Sequence, residues 1–267
     1  MSRISDAFRS ARKQGRAAFI PYVTAGDPNL ERTVEIALAL ERAGADVLEL
    51  GVPFSDPMAD GPTNQRAAER ALANGTNLGR VLEVVREVRV RSQLAVVLFT
   101  YANPVVRFGI ERFSRQAAAS GVDGVLFTDV PAEEMQLFRP ALSSARLDPI
   151  MLVTPTSDRG RMKAAAKKGG GFLYLVSRTG VTGEQQDLDR ELAANVETAR
   201  KASRLPVAVG FGISTPDQVS KVAAIADGVV VGSAIVNQIA DEGDTDQLAD
   251  RVEAFAAPLA AACRRGS

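Results

Sequence analysis

Glu49 lies inside the apolar run Val47-Leu48-Glu49-Leu50-Gly51-Val52. A carboxylate there loses hydration, so burial favours the neutral acid and lifts its pKa. Such an acid holds a proton near neutral pH and can act as a general acid. A salt bridge to Lys or Arg, or a place on an edge strand, would explain it equally well. The following segment, Pro53-Phe54-Ser55-Asp56-Pro57-Met58-Ala59-Asp60-Gly61-Pro62, holds three prolines and two acids. Prolines stiffen a loop and would hold a carboxylate in place at low entropic cost. Asp56 and Asp60 serve equally well as turn or helix-capping residues. Nothing with metal-ligand spacing accompanies them, so no metal site is expected.

Glycines crowd the later loops: Gly180 and Gly183, then Gly210 and Gly212, then Gly232 beside Ser233. Without side chains, backbone N–H groups can approach an anion, and a helix start adds a favourable dipole. Gly232-Ser233-Ala234-Ile235 reads as such a start, so a phosphate site fits, with ordinary turns as the alternative. Gly210-Phe211-Gly212 imitates half of a dinucleotide fingerprint, but Thr215 stands where the third glycine belongs, and that reading is discarded. Tyr174 is either a hydroxyl for the site or a packing residue.

These groups need elements to position them. Eight short apolar runs recur along the chain: 18–23, 47–51, 94–100, 124–127, 149–153, 171–176, 206–210 and 228–231. Most are apolar throughout rather than alternating, as expected of parallel strands covered on both faces. Between them, apolar residues return at helical spacing, as in Leu30, Val34, Ala37 and Leu38. Eight such units fit a single (β/α)8 barrel over residues 1–267, although an open doubly wound sheet gives similar alternation. Extra helical segments before the first strand (5–12) and after the second (62–73) tilt the choice toward the barrel. In a barrel, active groups lie at the C-terminal ends of the strands, and phosphate commonly binds after the seventh and eighth.

Composition removes several functions. Lys plus Arg and Asp plus Glu are each 32, so no positive field is available for nucleic acid or an anionic membrane. The chain has no His, which excludes the common hydrolytic triads and most zinc sites. Its one Cys, Cys263, allows no intramolecular disulfide and points to a reducing, cytoplasmic setting. The longest apolar stretch, 94–106, is too short and too interrupted to span a membrane.

Phe19 to Pro28 (FIPYVTAGDP), Glu49 to Pro57 (ELGVPFSDP) with Asp60-Gly61-Pro62, Tyr101 to Pro104 (YANP), Ser177 to Gly183 (SRTGVTG) and Gly210 to Ser214 (GFGIS) resemble the α subunit of tryptophan synthase, in order along the chain. The resemblance implies a barrel that cleaves indole-3-glycerol phosphate to indole and glyceraldehyde 3-phosphate. It makes Glu49 the general acid and base, Asp60 the acid at the indole N–H, and Tyr174 an assisting hydroxyl. It places phosphate on Gly183, Gly212, Gly232 and Ser233, and indole among Tyr22, Phe99, Leu126 and Thr128. It further implies an α2β2 tetramer with a pyridoxal-phosphate β subunit, contacted through Asp56, Pro57 and Asn103, and no cofactor in this chain. Cleavage of the C3 substituent needs protonation at C3 before the bond opens, and two acids with opposed tasks suit it: Glu49 kept neutral, Asp60 kept ionised on a wetter loop. Residues 179–189 read as a lid that closes over substrate. Three rivals share these features: another phosphate-binding barrel such as an isomerase or epimerase, a stand-alone indole-releasing lyase, and a regulatory subunit without chemistry.

Overall fold

A computed structural model describes residues 2–176, 185–210 and 212–265, with only the backbone of 185–189 included. In chain order its elements are α1 (Arg3–Lys13), β1 (Ala18–Thr24), α2 (Leu30–Ala43), β2 (Val47–Gly51), α3 (Pro62–Ala73), α4 (Leu78–Arg91), β3 (Ala95–Thr100), α5 (Ala102–Phe108), α6 (Ile110–Ser120), β4 (Gly124–Phe127), α7 (Arg139–Ser144), β5 (Asp148–Val153), α8 (Arg159–Lys168), β6 (Leu173–Val176), α9 (Gln185–Ala202), β7 (Val207–Gly210), α10 (Pro216–Ile225), β8 (Gly228–Val231), α11 (Ser233–Glu242) and α12 (Leu248–Ala261). The strands pair in parallel in chain order, and β8 returns to β1, closing the barrel. The open doubly wound alternative is thereby excluded.

Strand periodicity decides which side chains face inward. Successive residues point to opposite faces, so in β2 Leu48 and Leu50 pack outward against the helices, with Val34 and Leu40 of α2 in the same apolar layer. Val47 instead joins the interior cluster with Ile20, Val97 and Tyr174. Glu49, two residues on, shares the face of Val47. The N-terminal helix closes the lower end, where Ile4 and Phe8 enter the interior and Phe8 packs on Phe172 at 5.3 Å.

The extra helix after the second strand is α3, which begins with Pro62 at its first turn, where a missing N–H costs nothing. Arg70 of α3 holds Asp27 of the β1–α2 loop through two bonds of 2.8 and 2.7 Å, fixing this helix across the top of β1. Among the differences from the sequence reading, two have a local cause. The β3–β4 connection holds two helices, broken at Gly109 with φ +91°, where helical geometry cannot continue. The sixth strand begins at Leu173 rather than Gly171, because Gly171 has a left-handed φ of +62°. Among the described residues no helix is long and apolar enough to cross a membrane.

Candidate active site

Glu49 is paired in register with Tyr22 on one side and Val97 on the other. Its side chain is 0% exposed, and among the described residues neither carboxyl oxygen has a hydrogen-bond partner. Among the described residues Glu49 therefore has no salt bridge, and β2, paired on both sides, is not an edge strand. Burial alone pushes its pKa from 4.5 up to about 8. The acid borders a cavity of about 300 Å³ that also touches Asp60, Tyr22, Phe99 and Tyr174. An unpaired buried carboxyl is unfavourable unless it stays neutral or meets a ligand.

The shift has a measurable consequence for stability. Between 4.5 and about 8 the folded chain keeps a proton on Glu49 that the unfolded chain has released. Stability therefore falls as pH rises through that window, by about 1.4 kcal/mol per unit and about 5 kcal/mol in all. Glu49→Gln cannot ionise, so its stability relative to wild type should improve by several kcal/mol from pH 5 to pH 9. Urea unfolding of both proteins at the two pH values checks this, and an unchanged difference would contradict a raised Glu49.

Asp60 reaches the cavity from the loop after β2. The prolines are only part of what holds that loop. Tyr101, the first residue after β3, donates its hydroxyl to Asp60 Oδ2 at 2.9 Å and accepts the Ala59 N–H at 3.0 Å. Gln65 of α3 donates to the Asp60 carbonyl at 2.9 Å, and the Tyr101 ring packs on Phe54 at 5.2 Å. The loop is also drier than expected. Burial lifts the pKa of Asp60, and the Tyr101 hydroxyl works against that rise. Sequence reasoning assigned Tyr101 and Gln65 no part in the site, because their contacts with the loop are visible only after folding.

Both tyrosines of the cavity wall require a glycine opposite. A Cβ at Gly51 would strike the phenol of Tyr22, and one at Gly210 the phenol of Tyr174. Gly210 thus makes room for a side chain and does not belong to a nucleotide fingerprint. Thr215, the residue that spoiled that fingerprint, caps α10 in a reciprocal box with Gln218. Burial raises the pKa of both tyrosines far above the physiological range, so each remains a neutral hydroxyl. Tyr22 lies 3.3 Å from the Thr24 hydroxyl and edge-on to Phe99.

Gly212, Gly232 and Ser233 also line the cavity. Gly232 precedes α11, and no side chain caps that helix. Among the described residues the N–H groups of Ser233 and Ala234 at its start have no hydrogen-bond partner, and a helix start favours an anion. A Cβ at Gly232 would approach nothing closer than Tyr22 Cβ at 3.5 Å, so no protein neighbour demands glycine here. Among the described residues no Lys or Arg lines the cavity. No group of three or more metal-ligating side chains occurs among them either.

Other expected residues fall elsewhere. Leu126 is fully buried in the barrel interior and does not line the cavity. Thr128 also stays outside it: its hydroxyl reaches the Thr100 carbonyl at 3.4 Å and the Tyr101 phenol. Asp56 and Asn103 are exposed and Pro57 half-buried, beside Met58, which is 91% exposed. Gly180 and Gly183 lie outside the described residues, as does 179–184 of the expected lid, whereas the backbone of 185–189 is the first part of α9.

Residues 8–264 match the sequence family described as tryptophan synthase alpha chain. The chain is 49% identical over 267 residues to the tryptophan synthase alpha chain of Citrifermentans bemidjiense, with all of both chains covered. It is 52% identical over 236 residues to that of Geobacter sulfurreducens, covering 88% of this chain and 89% of the relative. Among solved structures, the alpha subunit from Legionella pneumophila superimposes with a TM-score of 0.90 at 37% identity, covering 98% of each chain. Tryptophan synthase from M. tuberculosis in its aminoacrylate-bound form gives 0.88 at 36%, covering 99% of this chain and 100% of that one. The closed eight-stranded barrel, the buried acid on its second strand and these matches along the whole chain lead to one conclusion: this chain belongs to the tryptophan synthase alpha chain family.

Proposed function

We propose that this chain is a carbon–carbon lyase of tryptophan biosynthesis that splits indole-3-glycerol phosphate into indole and glyceraldehyde 3-phosphate. The observation that carries the chemistry is Glu49: a fully buried acid, unpartnered among the described residues and facing a cavity it shares with Asp60. With a pKa near 8 it is mostly protonated at neutral pH, as a proton donor to carbon must be.

Glu49 donates that proton to C3 of the indole ring, which becomes a cation with its N–H on the Asp60 carboxylate. The carboxylate left on Glu49 then takes the hydroxyl proton from the adjoining glycerol carbon. As that carbon becomes the aldehyde of glyceraldehyde 3-phosphate, its bond to C3 breaks and the electron pair returns to the ring. Glu49 ends protonated again, now holding the proton of the substrate hydroxyl, while its own proton leaves on C3 of indole. Asp60 stabilises the cation best when ionised, and the Tyr101 hydroxyl favours that state. The open amides of α11, with Gly212, suit the phosphate, and Tyr174 offers a neutral hydroxyl to the chain between. Gly183 joins the phosphate set only through the family resemblance.

The partner proposed is a pyridoxal-phosphate β subunit in an α2β2 tetramer, docked on the exposed loop of Asp56 and Pro57 and on Asn103 of α5. The setting proposed is the cytoplasm. Purified chain incubated with indole-3-glycerol phosphate should release indole, faster when a β subunit is added. No indole under either condition would overturn the reading, and isomerised sugar phosphate without indole would favour another phosphate-binding barrel.

Tyr101→Phe removes the hydroxyl that holds Asp60 and accepts from Ala59. A hydrogen bond to a charged group contributes about 1.5–3 kcal/mol, so kcat should fall about tenfold to a hundredfold. The acidic limb of the pH–rate profile should move upward as Asp60 loses its donor. Steady-state kinetics across pH checks both effects.

A further inference from the structure

Asn64 is the third residue of α3 and lines the same cavity as Glu49 and Asp60. Its Oδ1 is buried and, among the described residues, has no hydrogen-bond partner. Neighbouring positions on α3 have evident tasks. Gln65 holds the loop of Asp60, Arg70 clamps Asp27, and Ala67, Ala68 and Ala71 are buried in packing. An amide oxygen without a donor is unfavourable inside a protein, and one on a residue that lines a ligand cavity is satisfied when a ligand brings an N–H or O–H within its reach.

The donors such a ligand can bring are few, granted the reaction proposed above. Its indole N–H goes to Asp60. Its phosphate, as a dianion, offers only acceptors and would repel an amide oxygen. The hydroxyl next to the ring must surrender its proton to Glu49. The hydroxyl on the middle carbon of the glycerol chain is left. A second amide, Asn237, lines the cavity from α11, four residues beyond Ser233 and so on the same helical face. Helices α3 and α11 pack against each other, so Asn64 and Asn237 reach the cavity from neighbouring helices.

We propose that Asn64 is a specificity-determining residue that accepts a hydrogen bond from the middle hydroxyl of the phosphoglycerol chain. This rests on the lyase reading. It makes the site selective for a chain that carries the middle hydroxyl, a group that neither the phosphate amides nor the two acids are assigned to contact. Sites built to pair with a substrate hydroxyl discriminate strongly against analogues that lack it.

The test compares wild type with Asn64→Leu, which has similar bulk and no polar atom, using two ligands. One is indole-3-glycerol phosphate as substrate. The other is indole-3-propanol phosphate, the same skeleton without the two hydroxyls, as competitive inhibitor. The variant should lose about tenfold in kcat/KM for the substrate, mainly through KM, while its Ki for the propanol compound stays within about twofold of wild type. Equal weakening of both ligands, which a merely structural role would give, overturns the proposal, and so does an unchanged kcat/KM. Failure of wild type to release indole overturns the lyase reading itself and this assignment with it, and the wild-type control reads that outcome separately.

Discussion

Replacing Glu49 with Gln is expected to lower kcat for indole release by about a thousandfold or more and to leave substrate affinity within a few-fold of wild type. A positioned general acid or base contributes about 10²–10⁴ in rate. Here one side chain acts first as acid and then as base, which places the loss at the upper end. The amide keeps the shape of the carboxyl among Tyr22, Tyr174 and Val97 but has no proton to give to carbon. Affinity should survive, because the phosphate amides and the indole wall are untouched. Steady-state kinetics with a direct binding measurement separates the two effects, and a Gln variant with near-normal kcat would remove Glu49 from the reaction.

Asp60→Asn is expected to cost about 10²–10³ in kcat, the scale of losing one preorganised group beside a charge that develops in the transition state. The neutral amide still accepts from Tyr101, so the loop should keep its form, but it no longer offers full negative charge to the indole cation. The loss should therefore appear in kcat more than in KM. A rise in KM at unchanged kcat would mean that Asp60 only helps to bind the ring. The two substitutions report on one transition state, so their costs should not add in the double variant.

The barrel and its central acid were legible in the sequence because they rest on local signals. Eight apolar runs spaced by helical segments point to parallel strands, and a carboxylate inside such a run stands out as a candidate, although an edge strand or a salt bridge would have explained it equally well until the barrel was seen to close. Pro62 at a helix start and the Ile4–Phe8 spacing in α1 are equally local. What supports the site was not legible. Tyr101 meets Asp60 across 41 residues and Arg70 meets Asp27 across 43. Such pairs exist only once the barrel has closed. Asp60 itself was placed on a wetter loop, since a loop with two acids reads as solvated. The phenol of Tyr101 and the start of α3 cover it instead. Leu126 packs in the interior cluster with Tyr22, Phe99 and Tyr174 and is not among the residues that line the cavity. Asn64 drew no notice because an Asn in the first turn of a helix is ordinary until its oxygen is found buried and, among the described residues, without a partner.

The central claim is that Glu49 stays a neutral carboxylic acid at physiological pH because the barrel wall desolvates it. Infrared difference spectra between wild type and Glu49→Gln, recorded across pH, isolate the C=O stretch of that one protonated carboxyl. The band should persist through neutrality and fade with a midpoint near pH 8. A band already lost by about pH 5, where an ordinary glutamate has ionised, would contradict the account.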